Sequence, residues 1–264
     1  MYFFNPTPGQ SHLPLFLFLP GMDGTGRLLR TQQRRLSQFF NLRCLTIPPE
    51  DVNDWDTLTD RTVALIQQEL SLNLNQDIYI CGESFGGCLA MKVAMQIRDQ
   101  LKGLILVNPA SAFKQQPWIE WGSHLTDWLP SWLYPLSMIG FLPFLAKLPG
   151  ITIGDRQALL EAMQSVPQRT SSWRLGLLRS FDIQPDQLRQ LDLPVLVIAS
   201  GSDRLLPSIT EAQFLTRKLP KANMVILPNS GHACLLETDV NLCQIIRDHD
   251  LGQNLTKTQL VCQN

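Results

Sequence analysis

Short apolar runs alternate with helix-length patterns in two separate stretches of this chain. From about residue 14 to 110, Leu15–Leu19, Leu42–Ile47, Ile78–Cys81 and Leu104–Val107 read as buried strands. Between them lie the helical patterns Leu28–Phe39, Leu58–Leu70 and Leu89–Ile97. The alternation resumes from about 193 to 250 with Val195–Ala199, Glu211–Leu219, Met224–Leu227 and Leu235–Arg247. Continuous apolar strands interleaved with helices predict a mostly parallel sheet covered on both faces, an α/β fold.

The stretch between these two differs in kind. Residues 111–187 hold five of the six tryptophans (118, 121, 128, 132 and 173), with prolines at 117, 130, 135, 143, 149, 167 and 185. Strand signals are absent there, and short proline-broken helices are expected. The organisation predicted is one core domain, 1–110 with 188–264, carrying a helical cap or lid at 111–187. The tail after Gly252 reads as loosely ordered.

Composition agrees with a single sizeable core: 264 residues, 44% of them hydrophobic and 17% charged. The net charge of −1 gives no electrostatic footprint for nucleic acid. Six cysteines without CxxC spacing read as buried, reduced thiols of a reducing compartment, so a cytoplasmic location is expected. The N-terminus has no basic n-region, and Leu13–Leu19 is too short to span a bilayer, so neither a signal peptide nor a transmembrane helix is expected. The Asn254-Leu255-Thr256 sequon is read as chance.

The chemistry centres on Gly82-Glu83-Ser84-Phe85-Gly86-Gly87, where a predicted strand turns into a predicted helix. A nucleophile elbow holds its serine in a strained turn, so the residues two before and two after it must be small. A serine hydroxyl needs a positioned base that is itself oriented by an acid, and in elbow enzymes these follow in the order acid, then histidine. Of the four histidines, His232 alone follows the last apolar strand and precedes a helix. Asp203, in Ala199-Ser200-Gly201-Ser202-Asp203, ends the preceding core strand and is the acid expected, whereas Val107-Asn108-Pro109 offers no carboxylate. Two backbone N–H groups are needed for the oxyanion. Phe85 supplies one, and Met22 supplies the other from the loop Leu19-Pro20-Gly21-Met22-Asp23-Gly24-Thr25-Gly26. That loop lacks the lysine of a phosphate cradle and the GxGxxG spacing, so no nucleotide, metal or other cofactor is expected. Asp23 either ties the loop together or borders the site.

With these motifs in hand the chain resembles the α/β-hydrolases. More narrowly it resembles the esterase/lipase half of the phytyl ester synthase and diacylglycerol acyltransferase-like proteins of plastids and cyanobacteria. The resemblance rests on residues 19–26 and 82–90, Asn108-Pro109-Ala110, residues 200–208 and residues 231–237. It implies an α/β-hydrolase fold and the handling of fatty acyl groups with isoprenoid or glyceride alcohols. Larger members carry an acyltransferase half marked by a histidine and an aspartate separated by four residues. None of the four histidines here has an aspartate at that spacing, so the hydrolase half is expected to stand alone.

The cap aromatics Trp118, Trp121, Trp128, Trp132 and Phe141 are candidates for lining a tunnel for an apolar tail. Leu133–Ile151 is apolar but broken by Pro135, Gly140, Pro143, Lys147 and Pro149, which suits shallow, peripheral membrane contact better than a span. The function expected is a serine esterase or lipase-like hydrolase acting on an acyl ester or thioester. Acyl transfer to a long-chain alcohol is the first alternative, and a triad-bearing receptor or lyase the second. The elbow serine speaks against chemistries that need an aspartate nucleophile.

Overall fold

The computed structural model describes residues 1–8, 10–72, 76–115, 130, 133–249 and 251. Its sheet has seven strands: β1 (Tyr2–Phe4), β2 (Leu15–Leu19), β3 (Asn41–Thr46), β4 (Ile78–Glu83), β5 (Leu101–Val107), β6 (Val195–Ser200) and β7 (Ala222–Leu227). They lie in the order β1-β3-β2-β4-β5-β6-β7. Only β1 runs antiparallel, with Tyr2 opposite Thr46; the other neighbours pair in parallel. All six expected strands are present. The pattern missed β1, whose three residues end just before Asn5 and Pro6 and are too few to show a period.

Strands β2, β4 and β6 are buried throughout because helices cover both faces of the sheet. Leu15, Leu17, Leu19, Ile80, Leu104 and Val197 face one core, while Phe16, Phe18, Tyr79, Ile105 and Ile198 face the other. Burying each of these side chains stabilises the fold by roughly 1.5–3 kcal/mol. A strand buried on both faces reads as a continuous apolar run, which is how β2 spells Leu-Phe-Leu-Phe-Leu. Helices α2 (Trp55–Leu72), α3 (Phe85–Ile97) and α8 (Ser208–Lys218) contribute to the first core. Helices α1 (Gln33–Leu36) and α9 (Leu242–Asp248) contribute to the second.

Two expected helices break up. Leu28–Phe39 becomes a 3-10 turn at Arg27–Thr31 followed by the single turn of α1. Between them the buried Gln32 amide donates to the carbonyls of Leu235 and Val240 and accepts from the N–H of Leu242. Leu235–Arg247 breaks likewise: a 3-10 turn, Cys234–Leu236, gives way before α9, which Asn241 caps by accepting from Gln244 N–H. Tertiary hydrogen bonds override helical periodicity at both places.

Between β5 and β6 lie α4 (Tyr134–Leu145), α5 (Ile153–Gln164), α6 (Gln168–Ser180) and α7 (Pro185–Arg189), with no strand among the described residues. Proline sits inside α4, at Pro143, and next to the starts of α6 and α7. Cys44, Cys81, Cys88, Cys234 and Cys243 are buried free thiols. Cys262 and the tail after Gly252 fall outside the described residues. No described helix is long and apolar enough to cross a membrane.

Candidate active site

Strand β4 delivers Ser84 to the C-terminal edge of the sheet, and α3 starts one residue later. Ser84 has φ +55 and ψ −115, a conformation that is strained for any residue with a Cβ. The fold over-determines it. Ser84 N–H donates to Val107 O at 2.9 Å, and its carbonyl accepts from Gly87 N–H at 2.9 Å and Ala110 N–H at 3.1 Å. A Cβ on Gly82 would run into the backbone of Gly86, and one on Gly86 into the carbonyls of Leu19 and Pro20. Glycine at both ends of the motif is therefore a packing requirement.

The structure brings Ser84, His232 and Asp203 together. His232 Nε2 lies 2.9 Å from Ser84 Oγ, and Nδ1 lies 2.8 Å from Asp203 Oδ2. Asp203 Oδ1 accepts from the N–H groups of Leu205 (2.8 Å) and Leu206 (3.0 Å), and the Ser208 hydroxyl donates to Oδ2. Burial works against the carboxylate, but His232 and these donors outweigh it and hold Asp203 below the usual aspartate range. Burial likewise works against an imidazolium at His232, yet the charge and hydrogen bond of Asp203, with Glu83 adding, lift it above the usual range.

Three further residues hold this constellation in place. Asn108, fully buried at φ +43, donates to His232 O (2.7 Å) and Ser200 Oγ (2.8 Å) and accepts from Ser200 N–H (2.8 Å). It thereby ties the ends of β5 and β6 to the histidine loop. Glu237 Oε1 accepts from Gly231 N–H at 2.7 Å, fixing the residue before the histidine. Arg174, on α6, donates from Nη1 to Met22 O at 2.6 Å and from Nη2 to Pro48 O at 2.9 Å. Asn108 and Glu237 fall in stretches that carry the family resemblance, but nothing local in the sequence gives their bonding, and Arg174 lies in no such stretch. The guanidinium lies 152 residues away in sequence from the Met22 it holds, and nothing local separates it from Arg169 and Arg179 on the same helix.

The loop after β2 has Gly24 and Gly26 at φ +68 and +66. Asp23 does both things expected of it: Oδ2 accepts from Thr25 N–H at 2.8 Å, and the side chain borders the cavity. Met22 lines the same cavity, and Phe85, stacked on Trp55 at 4.6 Å between ring centroids, opens α3. As the first helical residue, Phe85 has an N–H with no intrahelical acceptor.

A cavity of about 420 Å³ opens from Ser84 and His232 beneath the helices between β5 and β6. Its walls are apolar, among them Met138, Phe141, Leu145, Leu159, Leu175 and Leu206. Phe141 lines this cavity, whereas Trp118, Trp121, Trp128 and Trp132 lie outside the described residues. No group of three His, Cys, Asp or Glu suited to a metal occurs among the described residues.

The family described as "Serine aminopeptidase, S33" (Hydrolase_4) matches residues 49–239. Phytyl ester synthase 1, chloroplastic, of Arabidopsis thaliana is 35% identical over 257 residues, taking in 89% of this chain and 36% of that protein. The chain thus spans little more than a third of that relative's length. A pimeloyl-[acyl-carrier protein] methyl ester esterase of Aeromonas salmonicida is 24% identical over 253 residues, 89% of this chain and 94% of that one. A solved thermophilic esterase from Thermogutta terrifontis shares the fold, with a TM-score of 0.72 at 20% identity over 93% of this chain and 91% of that one. The family match covers well over half of the sequence, and the chain belongs to the Hydrolase_4 family of α/β-hydrolases as an esterase-like enzyme.

Proposed function

We propose that the protein cleaves carboxylic esters, or thioesters, of long acyl chains through an acyl-enzyme on Ser84. The observation that carries this reading is the apolar cavity of about 420 Å³ that opens beside Ser84 Oγ and His232. That volume falls in the range of small-molecule sites. The charged and titratable side chains Asp23, Glu83 and His232 line the cavity together with Ser84. Ser84 Oγ attacks the acyl carbonyl carbon as its proton passes to His232 Nε2. The N–H groups of Phe85 and Met22 stabilise the oxyanion. Collapse expels the alcohol or thiol with the proton from His232, and water then repeats the sequence to release the acid. Asp203 fixes the imidazole tautomer and offsets its charge.

Acyl transfer is the second reading, in which an alcohol takes the place of water. The apolar walls support it, because a dry site protects the acyl-enzyme from hydrolysis. So does the 35% identity to a phytyl ester synthase. In both readings the helices of 111–187 act as a lid. The exposed side chains Leu136, Ile139, Phe144 and Ile153 give that lid an apolar outer surface suited to peripheral contact with a membrane.

A fluorophosphonate probe tests the nucleophile: wild type is expected to label and Ser84→Ala not to. Equal labelling of both, or none of either, would remove Ser84 from the mechanism. Model esters of increasing acyl length are expected to be turned over best with long chains; a preference for acetyl would refute the acyl-chain assignment. A labelled acyl donor, incubated with and without a long-chain alcohol, separates hydrolysis from transfer.

A further inference from the structure

Glu83 precedes the nucleophile on β4. The strand alternates, with Ile78 and Ile80 in one core and Tyr79 and Cys81 in the other, so Glu83 falls on the face of Tyr79 and Cys81. Carboxyl groups are rarely buried without a partner, since desolvation disfavours them strongly. Glu83 is only 7% exposed; its carboxyl has no hydrogen bond from a described residue and is not sealed in the core, since every fully buried side-chain nitrogen and oxygen among the described residues has a partner. The other buried acids among the described residues are all engaged: Glu211 with Ser111, Glu237 with Gly231 N–H, Asp155 with Thr152. The unengaged carboxyl instead lines the cavity beside Ser84, His232, Gly21 and Asp23.

Burial pushes Glu83 up to about 8, with His232 pulling it down and Asp23 pushing it further up. The titratable groups around it are Asp23 on the loop after β2, His232 on the loop after β7, Cys81 on its own strand and Cys234 in the turn after His232. Arg174 bears on it only through Asp23. At neutral pH the group is a carboxylic acid, which offers one O–H donor and one carbonyl acceptor. An alcohol oxygen complements that pair, and an ester oxygen takes the donor. A thioester sulfur is a weak acceptor and takes little from it.

We infer that Glu83 is a binding subsite for the alcohol oxygen of the substrate, holding by hydrogen bond the leaving alkoxy oxygen of an oxygen ester or the hydroxyl of an incoming alcohol. The inference rests on the acyl-enzyme reading above. No proton is transferred to or from Glu83: His232 delivers the proton to the leaving oxygen, and Glu83 only orients and polarises that oxygen. Such a site favours oxygen esters over thioesters of the same acid.

The test compares wild type, Glu83→Leu and Glu83→Gln on a matched dodecanoyl alkyl ester and alkyl thioester, from pH 6 to 9.5. Fluorophosphonate labelling, whose leaving group is fluoride, reports in parallel whether Ser84 is activated in each variant. Glu83→Leu is expected to lower the ratio of ester to thioester kcat/KM at least about tenfold, the scale of one lost hydrogen bond at an unpaired site. In wild type, ester turnover is expected to fall above about pH 8, where the donor proton leaves. Glu83→Gln, which keeps a donor and an acceptor but cannot ionise, is expected to recover most of the ratio and to lack the alkaline fall. An unchanged ratio in Glu83→Leu, or the same alkaline fall in Glu83→Gln, overturns the inference. If Glu83→Leu does not fold, the pH profile of Glu83→Gln decides alone. Failure of wild type to label would instead indict the acyl-enzyme reading itself.

Discussion

Arg174 Nη1 donates to the carbonyl oxygen of Met22 at 2.6 Å, across the boundary between the helices over the cavity and the loop that follows β2. Arg174 is 2% exposed, so a charge has been buried to hold two backbone carbonyls, Met22 O and Pro48 O. On the proposed mechanism, fixing Met22 O fixes the main chain that would present Met22 N–H to the oxyanion. Arg174→Met is expected to lower kcat on a short ester about 10- to 100-fold with a smaller change in KM. Arg174→Lys should fall between, since one ammonium cannot reproduce the two-pronged contact. Kinetics alongside thermal melting check this. A variant that melts lower but keeps its kcat would show that the arginine serves stability alone.

The pH profile should carry the signature of His232. Its conjugate acid is held above the ordinary imidazole value of 6.5. The general base is competent only when neutral, so kcat/KM is expected to rise with pH through a midpoint above that value. Asp203→Asn removes the group that supports the imidazolium. It should move the acid limb to lower pH and cut kcat by about 10³–10⁴. A limb that stays in place when Asp203 is neutralised would sever the link between the two residues.

The Asn108 side chain makes four buried hydrogen bonds at the meeting of β5, β6 and the histidine loop, one of them to Cys234 Sγ. Asn108→Ala leaves Ser200 N–H and His232 O without that partner and should cost about 2–4 kcal/mol of stability. Asn108→Asp can still accept from Ser200 but cannot donate to His232 O, so activity should fall in both variants. Denaturant melts and kcat measured on the same preparations would show whether fold and rate decline together.

Glu83 also predicts a stability effect that needs no substrate. Its carboxyl ionises near 4.5 in the unfolded chain and about 8 in the fold, so between those values only the native state holds the proton. Wild type therefore loses stability as pH rises through that window, and Glu83→Gln does not share this term. The gap between variant and wild type should widen by roughly 2–4 kcal/mol from pH 4.5 to 8 and level off above it. Parallel melting curves at every pH would mean that the carboxyl ionises normally.

Much of the fold was legible because burial on both faces of a parallel sheet writes itself as unbroken apolar runs, and six strands stand where those runs are. The residues of the site were legible for a related reason. Ser84, Asp203 and His232 each follow a strand, and the elbow glycines are demanded by sub-van-der-Waals approach of backbone to backbone. What stayed hidden depends on contacts distant in sequence. Gln32 interrupts a helix to satisfy groups some 200 residues away, and Asn108, legible as part of Asn108-Pro109-Ala110, gives no local sign of the strand ends and histidine loop it joins. Arg174 has no local pattern, and Glu83 stands in the elbow motif with nothing nearby to mark its carboxyl as unengaged. Its significance lies in the absence of a partner, which periodicity does not encode.

The contact between Arg174 and Met22 ties choice of substrate to rate. Helices α4 to α6 line the cavity proposed to take the acyl chain, and α6 also carries the guanidinium that holds the Met22 loop. A chimera that imported these helices from a relative would change specificity and, in the same step, release or retain the loop according to the residue at position 174. Diversification of chain-length preference in this scaffold is therefore constrained at one arginine, and chimeras should be sorted by that position before their pockets are compared.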